Sequence, residues 1–252
     1  MNVLSVLGGL KNSVAFLTIF PVGMDEDGLN QAASYMPIFP LIGAGVGFLV
    51  GVVVWVLQLF FPPLVAGMVG LGCLLLVNGA QHVDGLLDFG DGAMFHGSAK
   101  EKLRVMRDPA TGAGGLSLGF VVLSTTAFGI AATPHHLIVV ALVACEAAAK
   151  FSMVFATATS KSAHKGMNTA FVEAMHAQRG FRLSLSFVIL AAVSIFSLGA
   201  TGLPLTIGAV FTGGAMVVIS KRHFGGITGD VMGATNEVSQ VISLLLVLVF
   251  LK

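Results

Sequence analysis

Three aspartates stand close together in a chain that carries few charges. Asp84, Asp88 and Asp91 fall at positions i, i+4 and i+7, and the 252 residues include 12 acidic side chains. On a helix this spacing puts all three carboxylates in one narrow stripe, where they repel each other. Mg²⁺ would remove that conflict, because it typically takes one or two protein carboxylates and fills its remaining sites with water and substrate phosphate. The pattern indicates a magnesium site; the structural alternative is a solvated helix end.

A basic, glycine-rich segment follows the aspartates. Arg104 and Arg107 precede a stretch of glycines that leads into a new apolar run. Guanidinium groups and the backbone N–H groups at a helix start together bind phosphate. The alternative is that the arginines only follow the positive-inside rule, by which basic residues stay on the cytoplasmic face of a membrane; this explains them equally well. His82, just before the aspartates, is interpreted as a phosphate contact or as a structural side chain.

Polar residues also open the last apolar run. Asp230, Asn236 and Glu237 could form a second group of metal or phosphate ligands. Alternatively, Thr228 caps the helix and Asp230 interacts with the helix dipole.

Glu146 and Lys150 lie four residues apart inside an apolar run, where charges are costly and are usually paired or functional. If they face the site, Lys150 neutralises phosphate and Glu146 binds metal; otherwise they form a structural ion pair. Lys161, His164 and Lys165 are more typical of an ordinary basic loop.

The composition is that of a membrane protein. Hydrophobic residues make up 56% of the chain and charged residues 10%, against about 25% in soluble domains. We predict an all-α, polytopic membrane bundle that forms a single catalytic domain over residues 1–252. Seven runs are long enough, or nearly so, to cross a bilayer; they are residues 38–60, 64–81, 116–132, 136–156, 183–198, 203–220 and 238–251. Residues 4–21 are apolar but interrupted, which favours an interfacial or re-entrant helix.

The connections between these runs alternate between two kinds. Three are tight turns without Lys or Arg, and three, at residues 83–115, 157–182 and 221–237, are longer and carry basic residues. The positive-inside rule places the long loops in the cytoplasm, so most polar residues meet at one membrane face. That distribution favours an enzyme over a transporter, whose ionisable groups would lie near the bilayer midplane. The near-zero net charge gives no indication of nucleic-acid binding.

The motifs resemble those of the cobalamin synthase family, the adenosylcobinamide-GDP ribazoletransferases. The similar blocks are FLTIFPV at 16–22, YMPIFPLIG at 35–43, HVDGLLD at 82–88 with Asp91 and Gly92, MRD at 106–108 with Gly112 and Gly115, and GGITGD at 225–230 with Gly233. The chain departs from the family pattern at Lys150, where an arginine is expected, and at Phe89-Gly90, where small polar residues are usual. A CDP-alcohol phosphotransferase is the nearest alternative, but its alanine-arginine step after the first Asp-Gly is replaced here by Leu86-Leu87.

The resemblance implies a specific reaction in a prokaryotic inner membrane. A ribose hydroxyl of α-ribazole, or of its 5′-phosphate, attacks the cobinamide-side phosphorus of adenosylcobinamide-GDP, and GMP leaves, with Mg²⁺ required. Asp91 or Asp230 would accept the hydroxyl proton. The expected partners are these substrates and the lipid bilayer; a homo-oligomer and association with other late-pathway enzymes stay open. The full set of expected substrate contacts is His82, Arg104, Arg107, Asp108, Gly112, Gly115, Lys150 and Thr228.

Overall fold

The computed structural model describes residues 3–250, with side chains for residues 5–250; the regular secondary structure of this part of the chain is helical, and one isolated bridge joins Ser162 to Ile227. The helices are α1 (Val3–Leu17), α2 (Gly28–Ser34), α3 (Phe39–Leu57), α4 (Pro63–Val77), α5 (Gln81–Met94), α6 (Ala99–Val105), α7 (Ala113–Ala132), α8 (Ile138–Thr159), α9 (Met167–Ala177), α10 (Arg179–Leu198), α11 (Gly202–Phe224) and α12 (Gly229–Phe250). A 3₁₀ turn, Met36–Ile38, leads into α3, and a second, Gly199–Thr201, joins α10 to α11.

Helix α8 is the centre of the bundle, surrounded by α3, α10, α11 and α12. Its middle is built from small residues, including Ala147, Ala148 and Ala149, and is fully buried. On α3, a Cβ atom added at Gly47 or Gly51 would run into the backbone of α8. Small residues of this kind let two helix backbones approach closely, which drives helix association where lipid removes the hydrophobic effect.

The predicted membrane bundle is confirmed, with an approximate number of crossings. Within residues 3–250, five helical stretches are long and apolar enough to span a bilayer, or six if the bent pair α4–α5 is one span. One of the five is the 46-residue stretch Arg179–Phe224, which contains both α10 and α11. Leu190 of α10 and Ala209 of α11 share one buried cluster around Phe151, so these two helices lie side by side and do not form one rod. Each of the seven predicted runs coincides with a helix; residue 251, the end of the last run, lies outside the described residues.

Two predicted boundaries were wrong. Helix α4 ends at Val77, four residues before the predicted end of the run 64–81. Gly79 and Ala80 adopt left-handed conformations there, and α5 then leaves at 96° to α4. The aspartates are therefore on a separate helix and do not extend a transmembrane helix. Helix α12 begins at Gly229, nine residues before the predicted start of the run 238–251. It begins there because Thr228 caps it by accepting the N–H of Val231. The supposed loop before it is mostly helix.

The N-terminal segment is helical, as predicted, but only as far as Leu17. Helix α1 packs against α2, where Lys11 forms an ion pair of 2.6 Å with Asp25. That ammonium, together with the Asn12 amide, lowers the pKa of Asp25. The end of α1 is tied to the α4–α5 corner, since Ile19 N–H donates to the Val77 carbonyl at 2.8 Å. Its interfacial or re-entrant position in the bilayer stays a prediction.

Candidate active site

Helix α5 lies across the N-terminal ends of α7 and α12, with backbone against backbone at each crossing. A Cβ on Gly85 would lie 2.9 Å from the Asp230 Cα atom, and one on Gly90 would lie 2.9 Å from the Gly115 Cα atom. On α12, a Cβ on Gly233 would lie 3.0 Å from the His82 carbonyl oxygen. Because helix N-termini carry partial positive charge, this arrangement holds the acidic stripe of α5 next to two favourable dipoles.

Asp91 ties α5 to α7. One of its carboxylate oxygens accepts the N–H of Gly112 at 2.7 Å, and the other accepts the N–H of Gly115 at 2.8 Å. The predicted anion cradle of the glycine-rich loop is thus occupied by a side chain of the protein itself. Substrate phosphate does not compete for these two N–H groups unless Asp91 moves.

The other aspartates gather around Asp88. The half-buried carboxylate of Asp88 is close enough to Asp84, Asp91 and Asp230 for electrostatic repulsion from all three. Asp230 comes from the opposite side, at the first turn of α12, where it accepts a hydrogen bond of 3.2 Å from the Thr228 hydroxyl. Sequence spacing predicted three of these acids as one group; the fold adds Asp230 as a fourth.

This cluster fits a cation that is shared with a substrate. Among residues 3–250, no group of three or more His, Cys, Asp or Glu side chains is arranged to hold a metal ion by itself. Mg²⁺ needs no such group when substrate phosphate completes its shell. With both oxygens of Asp91 engaged by backbone, Asp84 and Asp88 are the carboxylates best able to hold the ion.

A cleft of about 320 Å³ opens beside Asp230. Five aromatic and methionine side chains line it, together with two glycines and the polar residues Gln81, His82, Arg107, His164, Asn168, Thr228 and Asp230. Asp230 therefore connects the cleft to the aspartate cluster. His164, whose sequence setting is more typical of an ordinary basic loop but also allows a substrate role, lines this cleft.

The loop after α8 fixes the polar wall of the cleft. Ala163 N–H donates to the Ile227 carbonyl and Ile227 N–H donates to the Lys161 carbonyl, both at 2.9 Å. The buried Asn168 amide also donates to the Ile227 carbonyl, at 2.9 Å. These contacts pin the segment that carries Thr228 and Asp230. A lone asparagine in a basic loop gave no sequence signal for this role.

The basic segment divides between two sites. Arg107 reaches the cleft, whereas exposed Arg104 lines a neighbouring groove on α6 that Arg107 also borders. Asp108 accepts the N–H of Ala110 at 3.0 Å and so shapes the loop. Sequence reasoning missed Lys102, whose buried ammonium donates to the Ala93 carbonyl at 3.3 Å near the end of α5 and lies 3.0 Å from His223 Nδ1.

Glu146 and Lys150 form a buried pair inside the bundle. Both side chains are 0% exposed, and Lys150 Nζ lies 3.7 Å from a Glu146 carboxylate oxygen. Lys150 also donates to Asn236 at 2.8 Å, and the Asn236 amide donates to Glu237 at 3.0 Å. The structure therefore brings Glu146 together with Lys150 and Glu237, and does not bring it together with the aspartates of α5. Neither Glu146 nor Lys150 lines the cleft.

His82 stands between two internal spaces. It is 5% exposed, and it borders both the cleft and a much smaller cavity next to Asn78, Glu237 and Gln240. Its Nδ1 atom has no hydrogen-bond partner among the described residues. The predicted proximity of His82 to the site is thus observed, with the side chain in the wall and not at the mouth.

The arrangement has counterparts in sequence along nearly the whole chain. The sequence profile described as cobalamin-5-phosphate synthase matches residues 9–248. The chain belongs to this family. The resemblance read from the motifs is confirmed, and it covers α1 to α12.

Similar curated proteins carry one name, adenosylcobinamide-GDP ribazoletransferase. The protein of Halorubrum lacusprofundi is 34% identical over 95% of this chain and 96% of its own length. That of Methanocella arvoryzae is 32% identical over 95% of both chains. That of Methanosarcina mazei is 30% identical over 98% of this chain and 94% of its own. No solved structure is significantly similar.

Proposed function

We propose that this chain joins adenosylcobinamide-GDP to α-ribazole, or to its 5′-phosphate, with release of GMP. The products are adenosylcobalamin or its 5′-phosphate. The observation that carries the proposal is the meeting of separate family blocks in one place. Asp88 from the third block, Arg107 from the fourth and Asp230 from the last lie in or beside one cleft.

The transfer needs charge neutralisation and alignment more than covalent help. A ribose hydroxyl oxygen of the acceptor forms a bond to the cobinamide-side phosphorus, and the bond from that phosphorus to the bridging oxygen breaks. The bridging oxygen leaves with GMP, and the hydroxyl loses one proton. Arg107, at the edge of the cleft, is suited to bind phosphate oxygens through its guanidinium group.

Asp84 and Asp88 would hold Mg²⁺ against the diphosphate, where the ion neutralises charge on the phosphate oxygens. The repulsion around Asp88 supports this assignment, because an unliganded cluster of four acids is unfavourable. Asp91 contributes indirectly by fixing α5 to α7.

Asp230 is the better candidate for the proton acceptor. Both Asp91 oxygens are engaged by backbone N–H groups, whereas Asp230 lines the cleft and accepts one hydrogen bond, from Thr228. A carboxylate in hydrogen-bond reach of an attacking hydroxyl can serve as a general base.

The site is proposed to face the cytoplasm. It is built from the three basic connections of the chain, and basic connections stay on the cytoplasmic side. Several apolar helices already establish a multi-pass membrane protein; the inner membrane and the orientation are part of this proposal.

The test is a reconstituted assay with adenosylcobinamide-GDP, α-ribazole and Mg²⁺ in liposomes. Cobalamin and GMP should form in equal amounts, and EDTA should stop both. Asp88→Asn should lower the rate at least about 100-fold, while Glu26→Gln, an exposed acid without a described contact, should leave it unchanged. A wild-type protein that forms no cobalamin would refute the function, and full activity in EDTA would refute the role of the metal.

A further inference from the structure

The cleft beside Asp230 combines an apolar and a polar lining. Half-buried Phe16, from the end of α1, lines it, and the centroids of the Phe16 and Phe171 rings are 4.7 Å apart. Met153 and Met232 are buried in the same lining, and Met167, also part of it, is 63% exposed. Asp230 and Arg107 belong to its polar lining. The cleft is therefore amphipathic and offers both apolar contacts and charged groups to one ligand.

Aromatic rings and methionine thioethers together suit a flat, apolar, polarisable ligand. Phenylalanine binds planar rings by stacking or edge contact, and methionine adapts to aromatic surfaces through its flexible, polarisable side chain. The volume of about 320 Å³ is at the lower end for small-molecule pockets. A nucleoside fits such a space, whereas a corrinoid is far larger.

Guanine and the base of α-ribazole, the two bases of the proposed reaction, differ in the hydrogen bonds that they require from a binding site. Guanine carries amino and keto groups, which cost free energy when they are buried without hydrogen bonds. The base of α-ribazole is a dimethylbenzimidazole, whose six-membered ring carries two methyl groups and no amino or keto group. The amide nitrogen of Asn168, which lines the cleft, already donates to Ser162 and to the Ile227 carbonyl at 2.9 Å each. This amide is therefore not available as a donor to guanine.

We infer that this cleft binds the aromatic base of the acceptor nucleoside, with Phe16 as its principal contact and the ribose directed toward Asp230. The inference rests on the proposed function and adds the location of one substrate. It also gives the N-terminal helix a role, since α1 supplies a wall of the site.

The attachment of α1 agrees with such a role. The Phe16 carbonyl accepts a hydrogen bond of 2.8 Å from the Gln81 amide at the start of α5. Ile19 is bound to the end of α4 by its own N–H group. Phe16 is thus held against the corner from which the aspartate helix begins, and the distance between base and reacting groups is fixed by the fold.

The test measures binding of labelled α-ribazole to the purified full-length protein by equilibrium dialysis, without the corrinoid substrate. Base–aromatic stacking is worth about 1–3 kcal/mol per base, so Phe16→Ala should weaken binding about 5- to 160-fold. Phe16→Leu keeps apolar volume but has no ring, so it should bind α-ribazole more weakly than wild type and more tightly than Phe16→Ala. The KM for α-ribazole should rise in parallel, with the KM for adenosylcobinamide-GDP unchanged. Phe187→Ala, an exposed aromatic on α10 outside the cleft, is the matched control and should bind like wild type.

Met167→Ala provides a second variant at an exposed position, in case Phe16→Ala fails to fold, and should weaken α-ribazole binding at least threefold. Unchanged α-ribazole affinity in folded Phe16 or Met167 variants would overturn the inference. A raised KM for the corrinoid substrate with no change for α-ribazole would overturn it as well, by assigning the cleft to the other substrate. Failure of the proposed function has a different signature, because wild type would then form no cobalamin whatever it binds.

Discussion

The substitution Lys150→Met removes the ammonium group that faces two buried carboxylates. Lys150 Nζ lies 3.7 Å from Glu146, and Glu237 is close enough to interact with both charges. Methionine retains most of the volume of lysine, so the change is mainly one of charge. Glu146 and Glu237 would be left in the interior of a bundle where neither is more than 3% exposed.

The cost follows from the geometry. Two unit charges 3.7 Å apart, at an effective dielectric constant of about 20, attract each other by about 4 kcal/mol. Measured losses on removing one partner of a buried ion pair are about 3–5 kcal/mol. We therefore expect Lys150→Met to lower the free energy of unfolding by about 4 kcal/mol. The double variant Lys150→Met/Glu146→Gln should recover at least half of that loss, because no unpaired carboxylate is left at position 146.

The assay is reversible unfolding in mixed micelles, followed by far-UV circular dichroism and by the fluorescence of Trp55, the single tryptophan. Exposed Lys165→Met is the matched control and should change stability by no more than about 0.5 kcal/mol. A loss below about 1 kcal/mol in Lys150→Met would refute the ion-pair reasoning. So would a double variant that is no more stable than the single one.

Four further predictions concern the aspartate helix and its contacts, and use the same unfolding measurement with the cobalamin assay. Asp91→Ala should lower stability by about 2 kcal/mol, since it removes two charge-assisted hydrogen bonds to the start of α7; unchanged stability would contradict the tether. Asp88→Asn should keep or raise stability while activity is lost, because Asp88 has no hydrogen-bond partner within the described residues and is repelled by its neighbours; a clear loss of stability would contradict this. Gly85→Ala should reduce both activity and stability, because its methyl group would lie 2.9 Å from the α12 backbone. Gly45→Ala, in open space on α3, should leave activity intact and raise stability by up to about 1 kcal/mol. Equal behaviour of the two variants would refute close packing at α5. Lys102→Met should cost about 1–2 kcal/mol by freeing carbonyls at the end of α5, and a neutral result would show that those bonds contribute nothing.

Much of the site was predictable because its residues are close in sequence or unusual in their setting. The stripe of Asp84, Asp88 and Asp91 depends on local helix periodicity, which α5 obeys. A pair of opposite charges four residues apart in an apolar run predicts a buried helix, and α8 is the most enclosed helix of the bundle. The capping role of Thr228 is equally local.

The partners of these residues were not predictable, because they come from distant parts of the chain. Nothing in the spacing of Asp91 shows that its two oxygens would accept the N–H groups of Gly112 and Gly115. Asp230 joins Asp88, from which it is separated by 141 intervening residues, only because α5 and α12 cross at Gly85. Phe16 stood out in the sequence only as part of an apolar block in an interrupted N-terminal segment, because a wall of a cleft has no local signature.

Composition alone establishes the class of molecule, since so many apolar runs with so few charges are stable only in lipid. The sequence also determined the acidic stripe and, through several short blocks, the family. Which of those acids are engaged depends on the tertiary structure. The left-handed residues Gly79 and Ala80 turn α5 across the ends of α7 and α12. That crossing places Asp91 on the backbone N–H groups of Gly112 and Gly115, whereas the carboxylates of Asp84 and Asp88 have no hydrogen-bond partner among the described residues. This difference arises because helix periodicity is set within a few residues, whereas the contacts that pair a buried charge, or leave it unpaired, depend on which helices meet.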